Sequence, residues 1–187
     1  MKGKKIKTHE IFAILIEDDK LVAKRIGGKV LNIKAHPLNQ VPLECARNSF
    51  FQYMIGNTDY PTAYQHNIKL FFLEKKIIPV PFDFDMCGLV NTSYATVSQI
   101  NNELLPIDNV RQRMYRGFKR DPVITAEVRL EFLKNKSAIL ETIRECELLF
   151  ENRIEYISTV EYIEEFFEIL INDRKFEKEI VNKGRTN

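Results

Sequence analysis

The chain carries only 3 cysteines and 3 histidines in 187 residues. The cysteines, Cys45, Cys87 and Cys146, are widely spaced and form no CxxC pair. An odd number in that arrangement argues against a disulfide framework and reads as free thiols of a reducing compartment. The histidines lie equally far apart, which argues against zinc. Glycine is scarce, 7 in all, and Gly27-Gly28 is too sparse to form a phosphate-binding glycine loop. No apolar run approaches the ~20 residues needed to span a bilayer. A surplus of one charge is missing as well: a formal net charge of +2 gives no strong attraction to nucleic acid or to a membrane surface. The basic start is followed by a run, 11–16, too short for the apolar region of a secretory signal, and Glu17-Asp18-Asp19 ends it. A cytoplasmic location is the default expectation.

What is present suffices for a real core: 44% hydrophobic residues, 13 of them Phe, in a length that suits one domain or a lobe of a larger one. Two apolar runs, 68–73 and 77–82, flank Glu74-Lys75-Lys76, the pattern of a β-hairpin with a charged tip. With Lys75 at the midpoint, Asn67 faces Asp83 at the open end, across strands about 5 Å apart. Asp85 follows two residues later, and Asp59 precedes Asn67 by eight. Four oxygen-bearing side chains, Asp59, Asn67, Asp83 and Asp85, thus converge at one edge of a small sheet. A hard cation such as Mg²⁺ takes such a shell and shares its other positions with phosphate oxygens and water.

Around the hairpin, the apolar pattern predicts a buried strand over 11–16, a short helix over 20–26 and a brief strand over 30–33. Leu43, Ala46, Phe50, Phe51 and Met54 recur at helical steps and predict an amphipathic helix over 43–55 that delivers the chain to Gly56 and the Asn57-Thr58-Asp59 loop. Pro79 and Pro81 confine the second hairpin strand to an edge. Pro106 opens a predicted helical segment that clusters Arg111, Arg113 and Arg116, with Lys119 beyond, on a face able to bind phosphate or an acidic partner. Helices over 126–149 and 159–172 read as an antiparallel pair covering the sheet, and the charged tail from Asp173 is expected to fray. The fold class expected is α+β. Its divisions are a first segment over 1–42, a site-bearing region over 43–121, a helical pair over 122–173 and a tail over 174–187.

Asn57-x-Asp59, His66-Asn67 and Pro81-Phe82-Asp83-Phe84-Asp85, in that order across a hairpin, resemble the catalytic segment of atypical protein kinases, above all the bacterial CotH-type and HipA-like kinases. The resemblance covers roughly residues 50–118 and implies a kinase-like carboxy-lobe that binds ATP with Mg²⁺ or Mn²⁺. It implies that Asp59 is the catalytic acid orienting the acceptor hydroxyl, that Asn67, Asp83 and Asp85 are metal ligands, and that Asn57 and His66 are structural in the site. Glu17 fits the Glu that ends a strand in the CotH pattern, and Lys24 and Lys34 are the lysines of the first segment able to contact a nucleotide. The step from Asp59 to Asn67 is eight residues where protein kinases use five, and no HRD precedes Asp59. The short first segment implies an amino-terminally shortened kinase.

The reaction implied is transfer of the γ-phosphoryl group of ATP to a hydroxyl of a protein or small molecule. Two other readings stand beside it. One is a non-catalytic kinase-like scaffold, favoured by the missing glycine loop. The other is a metal-dependent nucleotide-sugar transferase using Asp83-x-Asp85, disfavoured because that class builds on parallel βαβ units. Individually, Asp59 also suits an Asx-turn before Pro61, and Asp83 and Asp85 suit strand-end caps.

Overall fold

The computed structural model describes residues 15–60, 66–100 and 102–186. Within them the chain is mixed α+β: six α-helices, one three-stranded antiparallel sheet and one two-stranded pair. The expected first strand falls partly outside the described residues, at 11–14. Its last two positions, Leu15 and Ile16, are exposed and belong to no strand. The chain instead enters helix α1 (Asp19–Arg25), whose first turn is capped by the Asp18 carboxylate accepting from the Lys20 amide at 2.9 Å.

Strands β1 (Lys29–Leu31), β2 (Ile68–Leu73) and β3 (Lys76–Pro81) form the sheet in that spatial order. Central β2 buries Ile68, Leu70 and Phe71. Both prolines of β3 sit on an edge strand, where a missing N–H breaks no further pairing. The hairpin turn is two residues, Glu74-Lys75, rather than three. Both adopt left-handed backbone, φ 49° and 63°, as the tight turn that matches strand twist requires. Leu73 therefore pairs with Lys76 and Ile68 with Pro81. The expected register was one residue out, so Asn67 faces Phe82, not Asp83.

Helix α2 (Pro42–Ile55) is the spine of the molecule. It packs against β3 and against α3 (Pro122–Lys134) and α5 (Arg153–Ile171). The core along it is aromatic: Phe50 lies 5.8 Å from Phe132 and 6.1 Å from Phe176, and Phe166 lies 5.7 Å from Phe132 and 5.2 Å from Phe167. A smaller cluster, Ala35, Tyr60, Ile68 and Leu70, fills the underside of the sheet.

Four expectations are corrected here. The single helix over 126–149 is two, α3 and α4 (Lys136–Glu145), because Asn135 leaves helical geometry and its side-chain amide donates back to the Glu131 carbonyl at 2.8 Å. Helix α5 begins at Arg153, where Asn152 caps the Glu155 amide at 2.9 Å, earlier than position 159. The carboxy-terminal helices pack on α2 and one another rather than covering the sheet. The tail does not fray: α6 (Asp173–Phe176) and a following π-turn (Glu177–Val181) bury Phe176 and Ile180, four residues apart, in the main core.

Candidate functional site

The last turn of α2 is built to present a loop. Three polar side chains run down from the buried helix: Gln52 Nε2 donates to Asn48 Oδ1 at 3.4 Å, Asn57 Nδ2 donates to Gln52 Oε1 at 2.8 Å, and the Asp59 amide donates to Asn57 Oδ1 at 2.9 Å. Gln52 is wholly buried and Asn57 nearly so, so these bonds replace water that the groups would otherwise hold. Thr58, between them, shares a 2.8 Å hydroxyl bond with Ser98, and its carbonyl accepts from Arg116 Nη1. Asp59 is thereby fixed, half-buried, at the end of that relay. Replacing Gln52 by Leu should cost about 1–3 kcal/mol, because Asn57 loses its buried acceptor. Urea unfolding followed by circular dichroism measures it, and an unchanged midpoint would show that the relay contributes nothing.

The open end of the hairpin closes on that loop in spite of the shifted register. Asn67 and Asp83 both adopt left-handed backbone, φ 55° and 60°, and the Phe82 amide donates to the Asn67 carbonyl at 3.0 Å. Such kinks re-aim side chains that a continuing strand would have carried to opposite faces. Asn and Asp tolerate this backbone better than most residues. Asn67 Nδ2 donates to the Asp59 carbonyl at 3.0 Å and to Asp59 Oδ2 at 3.1 Å. His66 Nε2 lies 3.1 Å from the same Oδ2. With its donor end held by Asp59, the Asn67 amide keeps its oxygen as an acceptor.

Asp83 and Asp85 stand exposed on either side of Phe84, whose ring packs on Phe51 of α2 at 5.4 Å. The Thr92 hydroxyl donates to the Asp85 carbonyl at 3.1 Å and holds the following turn. The Asp83 carboxyl is pushed above the usual carboxylate range, first by partial loss of water, then by the charge of Asp85 and a hydrogen bond with it, then by the charge of Asp59; His66 opposes the shift. Asp83 thus senses both neighbouring acids. Among the described residues no three His, Cys, Asp or Glu side chains surround a single point. The groups at this end of the hairpin that could hold a cation are the carboxylates of Asp83 and Asp85 and the amide oxygen of Asn67, oxygen donors of the type a hard cation such as Mg²⁺ takes.

The remaining predicted residues do not join this cluster. Glu17 forms a 2.7 Å ion pair with Arg25, which holds its carboxyl below the usual range. Lys24 and Lys34 are exposed, and neither pairs with Asp59, Asp83 or Asp85. No helix follows Pro106: Asn109 Oδ1 accepts from the Arg111 amide at 3.0 Å and Gln112 Oε1 from the Asp108 amide at 2.7 Å, side-chain bonds that compete with helical ones. The three arginines accordingly share no face. Arg113 stacks on Tyr162 at 3.5 Å, donates to the Met54 carbonyl and pairs with Glu165 at 3.1 Å. Arg111 covers Tyr162 at 4.6 Å and donates to the Ser158 carbonyl. Only Arg116 reaches the Asp59 loop.

Residues the sequence reading missed are Asn48 and Gln52, whose trace was two polar residues four apart inside an apolar helix, and Tyr162, which left none. Among the described residues no helix is long and apolar enough to cross a membrane, and Cys45, Cys87 and Cys146 are free thiols. Comparison with protein families, with curated proteins and with solved structures finds no match to this chain.

Proposed function

We propose that this chain is a kinase-like phosphotransferase that uses Mg-ATP to phosphorylate a hydroxyl of a protein or small molecule. The observation that supports it best is the placing of Asn67, Asp83 and Asp85 at one hairpin end beside Asp59, with the Asp83 carboxyl raised by partial loss of water and by like charge. Asn67, Asp83 and Asp85 would hold Mg²⁺ or Mn²⁺, which when bound neutralises charge on the phosphoryl oxygens. Asp59, oriented by His66 and Asn67, accepts a hydrogen bond from the acceptor hydroxyl and aligns it for in-line attack; orientation rather than a raised basicity is its contribution.

A second reading, a non-catalytic kinase-like scaffold, is favoured by the distribution of the first segment's charges. Glu17 is neutralised by Arg25, so it is not available to pair with a phosphate-contacting lysine. Nucleotide-dependent thermal stabilisation separates the two. ATP with Mg²⁺ or Mn²⁺ at 100 times its Kd should add about 2.7 kcal/mol; no stabilisation would leave the scaffold.

The pH dependence carries a sign. A carboxyl raised in the folded state keeps its proton to higher pH than in the unfolded chain, so without metal its contribution to stability falls as pH rises beyond its ordinary value of 3.8. Mg²⁺ takes the ionised form, so its affinity should rise through the same window. Parallel melts with and without Mg²⁺ between pH 4 and 6 check this; two curves of the same shape would contradict a cation at Asp83.

A further inference from the structure

Arg116 and Arg185 are far apart in sequence and brought together by backbone pairing. The Arg185 amide donates to the Gly117 carbonyl at 3.0 Å, and the Lys119 amide donates to the Arg185 carbonyl at 2.8 Å. These bonds lay the tail along residues 117–119, directly after Arg116. Both guanidinium groups are held in place: Arg185 lies 4.3 Å above the Phe118 ring, and Arg116 donates from Nη1 to the Thr58 carbonyl and lies 5.7 Å from the Tyr60 ring. Arg116 is buried, at 7% exposure, and Arg185 is open to solvent.

The pairing is one of like charges. Neither arginine forms an ion pair with a carboxylate among the described residues. Each guanidinium is held below its ordinary value first by loss of water, Arg185 also by Arg116 itself; the Tyr60 phenol and Asp59 oppose the shift at Arg116, and at Arg185 the phenols of Tyr60 and Tyr115 oppose it, with no carboxylate among the causes. Five other arginines are differently placed, Arg25 and Arg144 among them on exposed ion pairs. Arg47, Arg113 and Arg129 have carboxylate partners at 2.7–3.1 Å. A buried guanidinium with donors beyond the one given to Thr58, next to a second guanidinium and with no carboxylate in ion-pair contact among the described residues, is an arrangement that accepts an oxyanion.

We infer that Arg116 and Arg185 form a receptor for a phosphoryl-type oxyanion on the flank of the Asp59 loop, with Arg116 as its fixed floor and Arg185 as its open wall. The receptor does not depend on the phosphotransfer reading. The oxyanion is either a phosphate of the nucleotide or an acidic group on a second molecule placed beside Asp59.

The probe is inorganic phosphate, titrated calorimetrically into the full chain at low ionic strength without nucleotide. The wild-type chain should bind it saturably. Arg185→Gln, an exposed change that leaves the core intact, should weaken binding at least 10-fold, about 1.4 kcal/mol. Arg144→Gln, on the exposed face of α4, should leave it unchanged. A parallel titration with Mg-ATP assigns the source: a matching loss in Arg185→Gln identifies a nucleotide phosphate, and an unchanged nucleotide affinity identifies a second molecule. No saturable phosphate binding by the wild-type chain, or equal binding by Arg185→Gln, overturns the receptor. Failure of the phosphotransfer reading would appear separately, as no Mg²⁺-dependent nucleotide binding in the wild-type chain.

Discussion

Asp83→Asn should abolish Mg²⁺-dependent nucleotide binding, a loss of at least 100-fold in affinity, while the metal-free protein melts no lower than wild type. The two effects have opposite signs because the carboxylate has opposite consequences in the two states. Without a cation, Asp83 has lost part of its water and is repelled by Asp85 and Asp59, so it holds its proton above the ordinary range. Asn keeps the shape and tolerates the left-handed backbone at φ 60°, but removes one of the like charges. With a cation, that charge is the interaction, since a hard dication binds ionised oxygen far better than an amide. Melting curves with and without Mg-ATP read both numbers from one sample. If the variant is stabilised by Mg-ATP as much as wild type, the cation is not at Asp83. If the variant alone melts well below wild type, Asp83 is a structural cap and the strand-end reading is right.

The hairpin shows what the sequence could and could not convey. Its two runs, its edge strand and its charged tip were legible from β-branched and apolar residues, from Pro79 and Pro81, and from Glu74 to Lys76. Turn length was not, because Glu74 and Lys75 carry none of the usual Gly or Asn signal for positive φ, yet both adopt it. The resulting one-residue shift would have separated Asn67 from the acids in an ideal sheet. Positive φ at Asn67 and at Asp83 turns both residues out of strand geometry where the two strands end, so an ideal register does not decide where their side chains lie. Composition alone does not encode such paired departures from strand geometry.

The arginine cluster failed for a related reason. A helix after Pro106 was inferred from sparse apolar spacing, but Asn109 and Gln112 bond the backbone locally and no helix competes successfully. Arg111 and Arg113 then have a task that periodicity could not reveal: they close over Tyr162, a residue of α5 some fifty positions later. The same limit hid Arg185, whose position beside Arg116 depends on backbone bonds between segments remote in sequence. Local pattern fixed the helix α2 and the loop it presents; long-range docking decided which charges meet.

Gly56→Ala should destabilise the protein by about 3 kcal/mol, from the left-handed backbone penalty together with overpacking. Gly56 ends α2 at φ 65°, and a Cβ there would fall inside the radius of the Tyr162 hydroxyl. That hydroxyl occupies the gap between Gly56 and Gly88, where the Gly88 amide donates to the Gly56 carbonyl at 3.2 Å and the Leu89 amide to the Ile55 carbonyl at 2.9 Å. These two bonds tie the turn after Asp85 to the helix end before Asp59, so the glycines set the spacing of the candidate site's two halves. Tyr162→Phe alone should be neutral or slightly stabilising, because the buried hydroxyl has no hydrogen-bond partner among the described residues. Combined with Gly56→Ala it should recover the overpacking part, about 1–2 kcal/mol, and leave the backbone part. A double-mutant cycle by denaturant unfolding measures the recovery. Strictly additive changes would mean that the ring and its hydroxyl do not fill the gap, and that the loop carrying Asp59 is positioned by the polar relay from Gln52 alone.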